Sequence, residues 1–110
     1  MKQLLLLALM ISFSIVRAQD VFPVKYEYQA DVKVFVTDYE YQADLKVYKE
    51  KYSYQAGDND GRWYFTPSEY QADKTIYFVD YEYQADLKIY FVDYEYQAGW
   101  NNVSKKELLE

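Results

Sequence analysis

The 110-residue chain has no cysteine and no histidine, and it has only three glycines and two prolines. Without cysteine it cannot form the disulfides that small exported domains commonly use. Without histidine it lacks the usual base near neutral pH and the commonest metal ligand. Stability must therefore come from packing and chain topology, and a catalytic site that pairs a nucleophile with histidine is excluded.

Positive charge is also scarce, because 12 Lys and Arg stand against 18 Asp and Glu, giving a net charge of −6. Nucleic acids and anionic membrane surfaces attract basic patches. We therefore expect no nucleic-acid partner, and no membrane association once the N-terminal segment is removed. No cofactor motif is present, so we expect no cofactor.

The first 18 residues have the pattern of a cleaved secretory signal. A basic start at Lys2 precedes an apolar run from Leu4 to Val16, and Ala18 provides a small residue at the cleavage position. The run is shorter than the roughly 20 residues that span a bilayer, which disfavours a membrane anchor. We predict cleavage after Ala18 and a secreted or periplasmic location. Residues 19–110 should then form one monomeric domain.

A 13-residue repeat fills most of the remaining chain. Its glutamines are spaced 13 residues apart, with one step of 16, at Gln29, Gln42, Gln55, Gln71, Gln84 and Gln97. The unit reads Tyr-Glu-Tyr-Gln-Ala-Asp-Leu-Lys-Val-Tyr-Phe-Val-Asp, and its Tyr, Val, Ile and Phe favour β-strands. Such repeats build a shared core, and this period is too short for helical repeats. We predict an all-β fold of short wound strands.

The repeat also predicts the environment of individual positions. Apolar and polar residues alternate from Tyr90 to Ala98, as in a strand, and most tyrosines are expected in the core. Three extra residues follow Ala56, which predicts a bend at each Ala-Asp position, with the Asp at its tip.

The glutamines predict an amide ladder between units, with a repetitive ligand surface as the alternative. Ser104 to Glu107 have the form of a helical capping box.

The repeated Tyr-Glu-Tyr-Gln-Ala-Asp units, followed by Gln97-Ala98-Gly99-Trp100, resemble the septoil knot domain, a small bacterial family. The resemblance covers Tyr26 to Trp100. It implies a β-rich fold whose backbone forms a seven-crossing torus knot, a path in which near-identical units wind around one axis. The chain departs from the unit at Asp58–Ser68, which puts the geometry of one winding in doubt. The resemblance implies no activity and no catalytic residues.

The irregular copy carries the one-off residues that could form a site. Asp58 and Asp60 precede Gly61 in the way that oxygen ligands precede the sharp turn of a calcium loop. The distal glutamate of such a loop is missing, so a polar turn is the alternative. Arg62, Trp63 and Tyr64 follow directly as a small recognition patch, in which Trp63 and Tyr64 are the candidate ligand contacts.

Two functions of different kinds stay open. Glutamates recur at one unit position, at Glu27, Glu40, Glu82 and Glu95, whereas a catalytic site is usually unique. A paired-carboxylate hydrolase is therefore a distant third possibility. We expect a non-enzymatic module whose topology resists unfolding and proteolysis. The alternative is a carbohydrate- or protein-binding module that uses tyrosine stripes and the Asp58–Tyr64 loop.

Cleavage of the leader can be tested directly. N-terminal sequencing of exported protein should begin at Gln19. Replacing Ala18 with tyrosine should block processing, because the cleavage position accepts small side chains. Exported protein that keeps the Leu4–Val16 segment would contradict this prediction.

Overall fold

The computed structural model describes residues 19–110, so the predicted signal at residues 1–18 lies outside the described residues. Each repeat unit folds as one short strand and one turn of 3₁₀ helix. The strands are β1 (Gln19–Pro23), β2 (Val32–Val36), β3 (Leu45–Lys49), β4 (Arg62–Phe65), β5 (Lys74–Phe78), β6 (Leu87–Phe91) and β7 (Gly99–Trp100). The 3₁₀ helices are η1 (Glu27–Gln29), η2 (Glu40–Gln42), η3 (Ser53–Gln55), η4 (Glu69–Gln71), η5 (Glu82–Gln84), η6 (Glu95–Gln97) and η7 (Val103–Leu109).

The first six strands pair in parallel and close into a barrel. Their order is β4-β1-β5-β2-β6-β3, and a β3–β4 pairing closes the circle. We call β1–β3 the first winding and β4–β6 the second winding. The barrel order alternates between them, so each barrel strand lies between two strands of the other winding. The predicted all-β fold of short wound strands is confirmed, and the path is consistent with a torus knot.

The connections between strands pass over the outside of the barrel. β1 and β2 stand two positions apart with β5 between them, and η1, which links β1 to β2, packs on β5. Conversely, η5 links β5 to β6 and packs on β2. We call the connections 24–31, 37–44, 66–73, 79–86 and 92–98 straps. Strands of each winding therefore lie under straps of the other.

One step around the barrel differs from the rest, and it explains the irregular copy. Within each winding, consecutive strands advance by two positions, but β3 and β4 are direct neighbours. A third step of two positions on a six-strand barrel would return the chain to the place of β1. The single-position step instead puts the second winding into the gaps of the first. The connection that makes this step contains the extra residues, within Gly57–Gly61.

The barrel interior is aliphatic and has one large aromatic residue. Nine side chains of the barrel strands are exposed by no more than 2%: Val21, Val32, Val34, Leu45, Val47, Trp63, Ile76, Leu87 and Ile89. At the end where the strands begin, η7 buries Leu109 against this core, and Gln19 Nε2 donates to its carbonyl at 3.2 Å. At the other end the Lys49 ammonium lies 4.4 Å from the centre of the Phe91 ring. The helical segment starts after Asn102, so Ser104 does not form the predicted capping box.

Aspartates at the strand starts bond the two windings together. The Asp86 N–H donates to the Lys33 carbonyl at 2.8 Å, and Asp86 Oδ2 accepts from the Lys33 N–H at 3.0 Å. The same pair of bonds recurs at Asp31 with Thr75, Asp44 with Lys88 and Asp73 with Asp20. We call this pair of bonds the aspartate clamp. The chain bends at each of these aspartates, between the 3₁₀ turn and the next strand, so the predicted bend at the Ala-Asp position is confirmed.

The glutamines and the end of β6 differ from expectation. Gln97 Oε1 accepts a hydrogen bond from the Tyr94 N–H of its own turn at 3.2 Å, and Gln29 and Gln84 bond in the same way. The predicted ladder between units is therefore wrong, because a partner three residues away satisfies the amide locally. β6 ends at Phe91, so the predicted strand through Ala98 is also wrong.

The repeat allows the aspartate clamp to be tested in a buried and an exposed copy. Asp44 is buried and also accepts from Asn102 Nδ2 at 3.2 Å, whereas Asp73 is exposed. Asp44→Ala should lower the free energy of unfolding by about 2–4 kcal/mol, because its donors lose their acceptor away from water. Asp73→Ala should cost about 1 kcal/mol or less. Equilibrium denaturation measures both, and equal losses would contradict the clamp.

Candidate functional site at the barrel seam

The barrel has a seam where β3 meets β4 and β7. β3 pairs with β4 only at Tyr48–Arg62 and Lys49–Trp63. Its first half pairs instead with the antiparallel β7, through Leu45 with Trp100 and Lys46 with Gly99. The seam therefore brings together the parts of the chain that break the repeat, which are the loop 57–61 and the end of the last unit.

The loop at the seam rebuilds the aspartate clamp from different residues. Gly57 stands where other units carry Asp, and a Cβ there would overlap the Asp60 carboxylate. Asp60 Oδ1 accepts from the Arg62 N–H at 3.2 Å, while the Gly57 N–H donates to the Arg62 carbonyl at 2.8 Å. Asp60 thus replaces the missing aspartate, and Gly57 leaves the space for it.

Asn59 is the buried centre of this loop. It has a φ of 56°, in the left-handed region that asparagine tolerates. Its Nδ2 donates to the Lys106 carbonyl at 3.1 Å, and its own carbonyl accepts from Trp100 Nε1 at 2.8 Å. It is only 6% exposed, and its Oδ1 has no hydrogen-bond partner. Asn59 therefore ties the loop to β7 and η7 and keeps one free acceptor.

A cleft of about 480 Å³ opens beside the loop. Its lining includes two aromatic and six polar side chains: Tyr96, Trp100, Asp58, Asn59, Asp60, Arg62, Glu95 and Lys106. Arg62 joins the loop 57–61 to η6 in its wall, because Nε lies 3.0 Å from Asp60 Oδ2 and Nη1 lies 3.3 Å from Glu95 Oε1. The guanidinium therefore fixes both carboxylates in place.

Glu50 lies behind Glu95 and is a one-off residue as well. The other units carry Val24, Thr37, Thr66, Val79 or Val92 at this position. Glu50 is 9% exposed, and burial, assisted by a hydrogen bond to Glu95 and by its charge, raises the pKa of Glu50 to about 7. The hydrogen bond from Glu50, and then the one from Arg62, lowers the pKa of Glu95. Glu50 therefore exchanges its proton near neutral pH, where Glu95 is ionised.

This carboxyl pair does not have the spacing of a glycosidase. Hydrolases of that kind separate the two groups by roughly 5 Å or more, so that the substrate fits between them. Glu50 lies close enough to Glu95 for each to shift the pKa of the other, its Oε2 is buried without a hydrogen-bond partner, and Glu50 is not part of the cleft lining. The pair can hold a proton and orient Glu95, but it leaves no space for a scissile bond.

The structure places only some of the predicted site residues at the cleft. Asp58 and Asp60 line the cleft, but Asp60 is paired with Arg62. Across residues 19–110, no three acidic, His or Cys side chains converge to hold a metal ion. The calcium hypothesis for Asp58 and Asp60 therefore stays a prediction without further support. Tyr64 is half-buried on the outer face of β4 and does not line the cleft.

Trp63 is fully buried, so its prediction as a surface ligand contact is wrong. It occupies the inward position of β4 that Val or Ile holds in other strands, and alternation along the strand directs it into the barrel. Sequence reasoning missed Glu50 as a site residue, whereas Arg62 belongs to the predicted Asp58–Tyr64 loop. The signal was the charged Glu50 at a position that carries only Val or Thr in the other units.

The tyrosines form a second surface feature. Eleven of the fifteen tyrosines are exposed, all on the connections that carry 3₁₀ turns, so the expectation that most lie in the core is wrong. They lie outside because the connections cross the barrel surface. Most form stacked pairs within one turn, such as Tyr26 with Tyr28 at 5.9 Å and Tyr81 with Tyr83 at 5.8 Å between ring centres.

Glu50 should make stability depend on pH with a defined sign. Its pKa is about 7 in the folded protein against an ordinary value of 4.5, so folding favours the protonated form. Glu50 therefore contributes fully to the free energy of unfolding below about pH 4.5. This contribution, on the order of 2–3 kcal/mol, is lost as the pH rises through 7. Glu50→Gln should remove this loss between pH 5 and 8 in equilibrium denaturation. The exposed Glu82→Gln serves as a control and should retain it, and an unchanged slope in Glu50→Gln would contradict the assignment.

Within residues 19–110, no helix has the length and apolar character needed to cross a membrane. Searches of curated proteins and of solved structures gave no match. A family model described as the 7(1) septoil knot domain matches residues 18–101. That match spans the six barrel strands, β7 and all of the cleft lining except Lys106. The chain therefore belongs to the septoil knot domain family.

Proposed function

We propose that this protein is an exported, non-enzymatic structural module whose wound chain resists unfolding and proteolysis. The observation that carries the proposal is the alternation of the two windings around the barrel. Export is supported by the leader pattern of residues 1–18. A non-catalytic role is supported by the close contact of Glu50 with Glu95.

Interleaving makes local opening unproductive. A strand such as β2 hydrogen-bonds to β5 on one side and β6 on the other, and η5 crosses its outer face. Releasing β2 therefore requires movement of residues more than 40 positions away in sequence, as in the bond between Asp31 and Thr75. Proteases need an extended, released segment. We infer that such segments appear only after much of the barrel has opened.

The unfolding rate tests this proposal. In guanidinium, the protein should unfold far more slowly than unknotted β-domains of its size, and it should survive protease for days. Slow unfolding at ordinary equilibrium stability is kinetic stability. Unfolding within seconds at the denaturation midpoint, with prompt proteolysis, would contradict the proposal.

A nicked protein provides the matched control. A recognition sequence for a specific protease, inserted between Lys25 and Tyr26, places the cut in the exposed strap that crosses β5. After folding and cleavage, the strap can move off β5, so unfolding should accelerate relative to the same variant before cleavage. Equal rates before and after the cut would show that the strap does not limit unfolding.

The alternative is a binding module, for carbohydrate or protein. The exposed tyrosine pairs and the seam cleft support it, because tyrosine combines a large apolar face with a polar hydroxyl and is enriched at interfaces. This function is compatible with the first, since a rigid barrel would present such a surface without loss of order on binding.

A further inference from the structure

The departures from the repeat converge at one place. A repeated residue has the same role in each unit, whereas Asn59, Arg62 and Trp100 occur at the seam alone and line the same cleft. We propose that the seam cleft binds a short neutral oligosaccharide, with Tyr96 and Trp100 as stacking surfaces and the polar wall bonded to sugar hydroxyls. The inference rests on the binding-module alternative and gives it a ligand class.

The size of the cleft favours a small ligand over a protein. Small-molecule sites enclose roughly 300–1,000 Å³, and the cleft of about 480 Å³ lies within that range. A stable protein interface needs about 800 Å² on each partner, usually on a flatter surface. The cleft therefore accommodates one or two sugar rings.

The charges of the cleft favour a neutral ligand. Asp58, Asp60 and Glu95 are opposed by Arg62 and Lys106, so the wall is close to balance although the whole chain carries −6. Arg62 pairs with two of the carboxylates, so only one negative charge of that group is left uncompensated. The carboxylates would repel a polyanion, and Arg62 would repel a polycation. A polyol carries no charge, so neither group repels it, and its hydroxyls can both donate and accept hydrogen bonds.

The polar groups are fixed before a ligand arrives. The Arg62 bonds to Asp60 and Glu95 hold two carboxylates whose remaining lone pairs can accept from hydroxyls. Asn59 is held by the hydrogen bond from its Nδ2 to the Lys106 carbonyl, which anchors the loop side of the wall. Such pre-orientation lowers the entropy lost on binding.

The two aromatic side chains of the cleft are also held in position by contacts within the protein. The bond from Trp100 Nε1 to the Asn59 carbonyl fixes the indole against the loop. Tyr96 stacks on Tyr94 at 5.9 Å between ring centres and is still 84% exposed, so most of its ring faces solvent. Sugar rings have apolar C–H faces that pack on such rings, while their hydroxyls point to the polar wall.

The repeat offers a control variant that differs only in its distance from the cleft. Tyr83 holds the same unit position as Tyr96, is 83% exposed and stacks on Tyr81 at 5.8 Å. The purified protein is titrated by calorimetry and NMR with cellohexaose, maltohexaose, chitohexaose and mannohexaose. At least one should bind. Tyr96→Ala should weaken that binding by about tenfold, whereas Tyr83→Ala should change it by less than about twofold.

Three results would overturn the proposal. The first is no binding of any of the four sugars at millimolar concentration. The second is binding only of a charged polymer such as polygalacturonate. The third is an equal loss in Tyr83→Ala and Tyr96→Ala, which would assign binding to the tyrosine pairs in general and not to the cleft. None of these results affects the unfolding rate, so failure of the cleft proposal is distinguishable from failure of the structural role.

Discussion

The constraint on which the rest of this structure depends is that each barrel strand finds its barrel neighbours in the other winding. The strand ladders and the aspartate clamps at Asp31, Asp44, Asp73 and Asp86 all join residues distant in sequence. Neither winding can therefore satisfy its backbone groups alone, and buried unpaired groups are costly. The chain gains most of its hydrogen bonds only when both windings are in place. Such dependence on long-range pairing makes folding slow and links local stability to the whole barrel.

The seam follows from the same constraint. Two interleaved windings require one step that is shorter than the others, and β3 to β4 makes it through the loop 57–61. The ladder there is shared between β4 and β7, and the aspartate clamp is rebuilt from Gly57, Asp60 and Arg62. A symmetric barrel would have no unique surface. The break in symmetry gathers unique residues beside one cleft, and for this reason the cleft is the place to look for specific recognition.

The distribution of aromatic residues follows from the barrel's dimensions. A six-strand barrel has a narrow interior, which Val, Leu and Ile fill in nearly every strand. The larger tyrosines lie on the connections outside, where their hydroxyls meet water and their rings stack in pairs. Trp63 is the exception, since it fills the interior on the shortest barrel strand, β4, next to the seam. Stability in this protein without disulfides thus depends on a small aliphatic core and on chain topology.

The sequence by itself determined the repeat, the all-β class, the short strands and the position of the irregular copy, because these depend on composition and spacing within one unit. The family was also recognisable from Tyr-Glu-Tyr-Gln-Ala-Asp and the closing Gln97–Trp100 motif. Only the tertiary structure decided that the strap tyrosines face water, that Trp63 is buried and that Glu50 meets Glu95 and Arg62. Those facts depend on which strands become neighbours. Near-identical units carry almost no information about their partners, so the winding order, and with it the seam, is fixed by three-dimensional closure of the barrel.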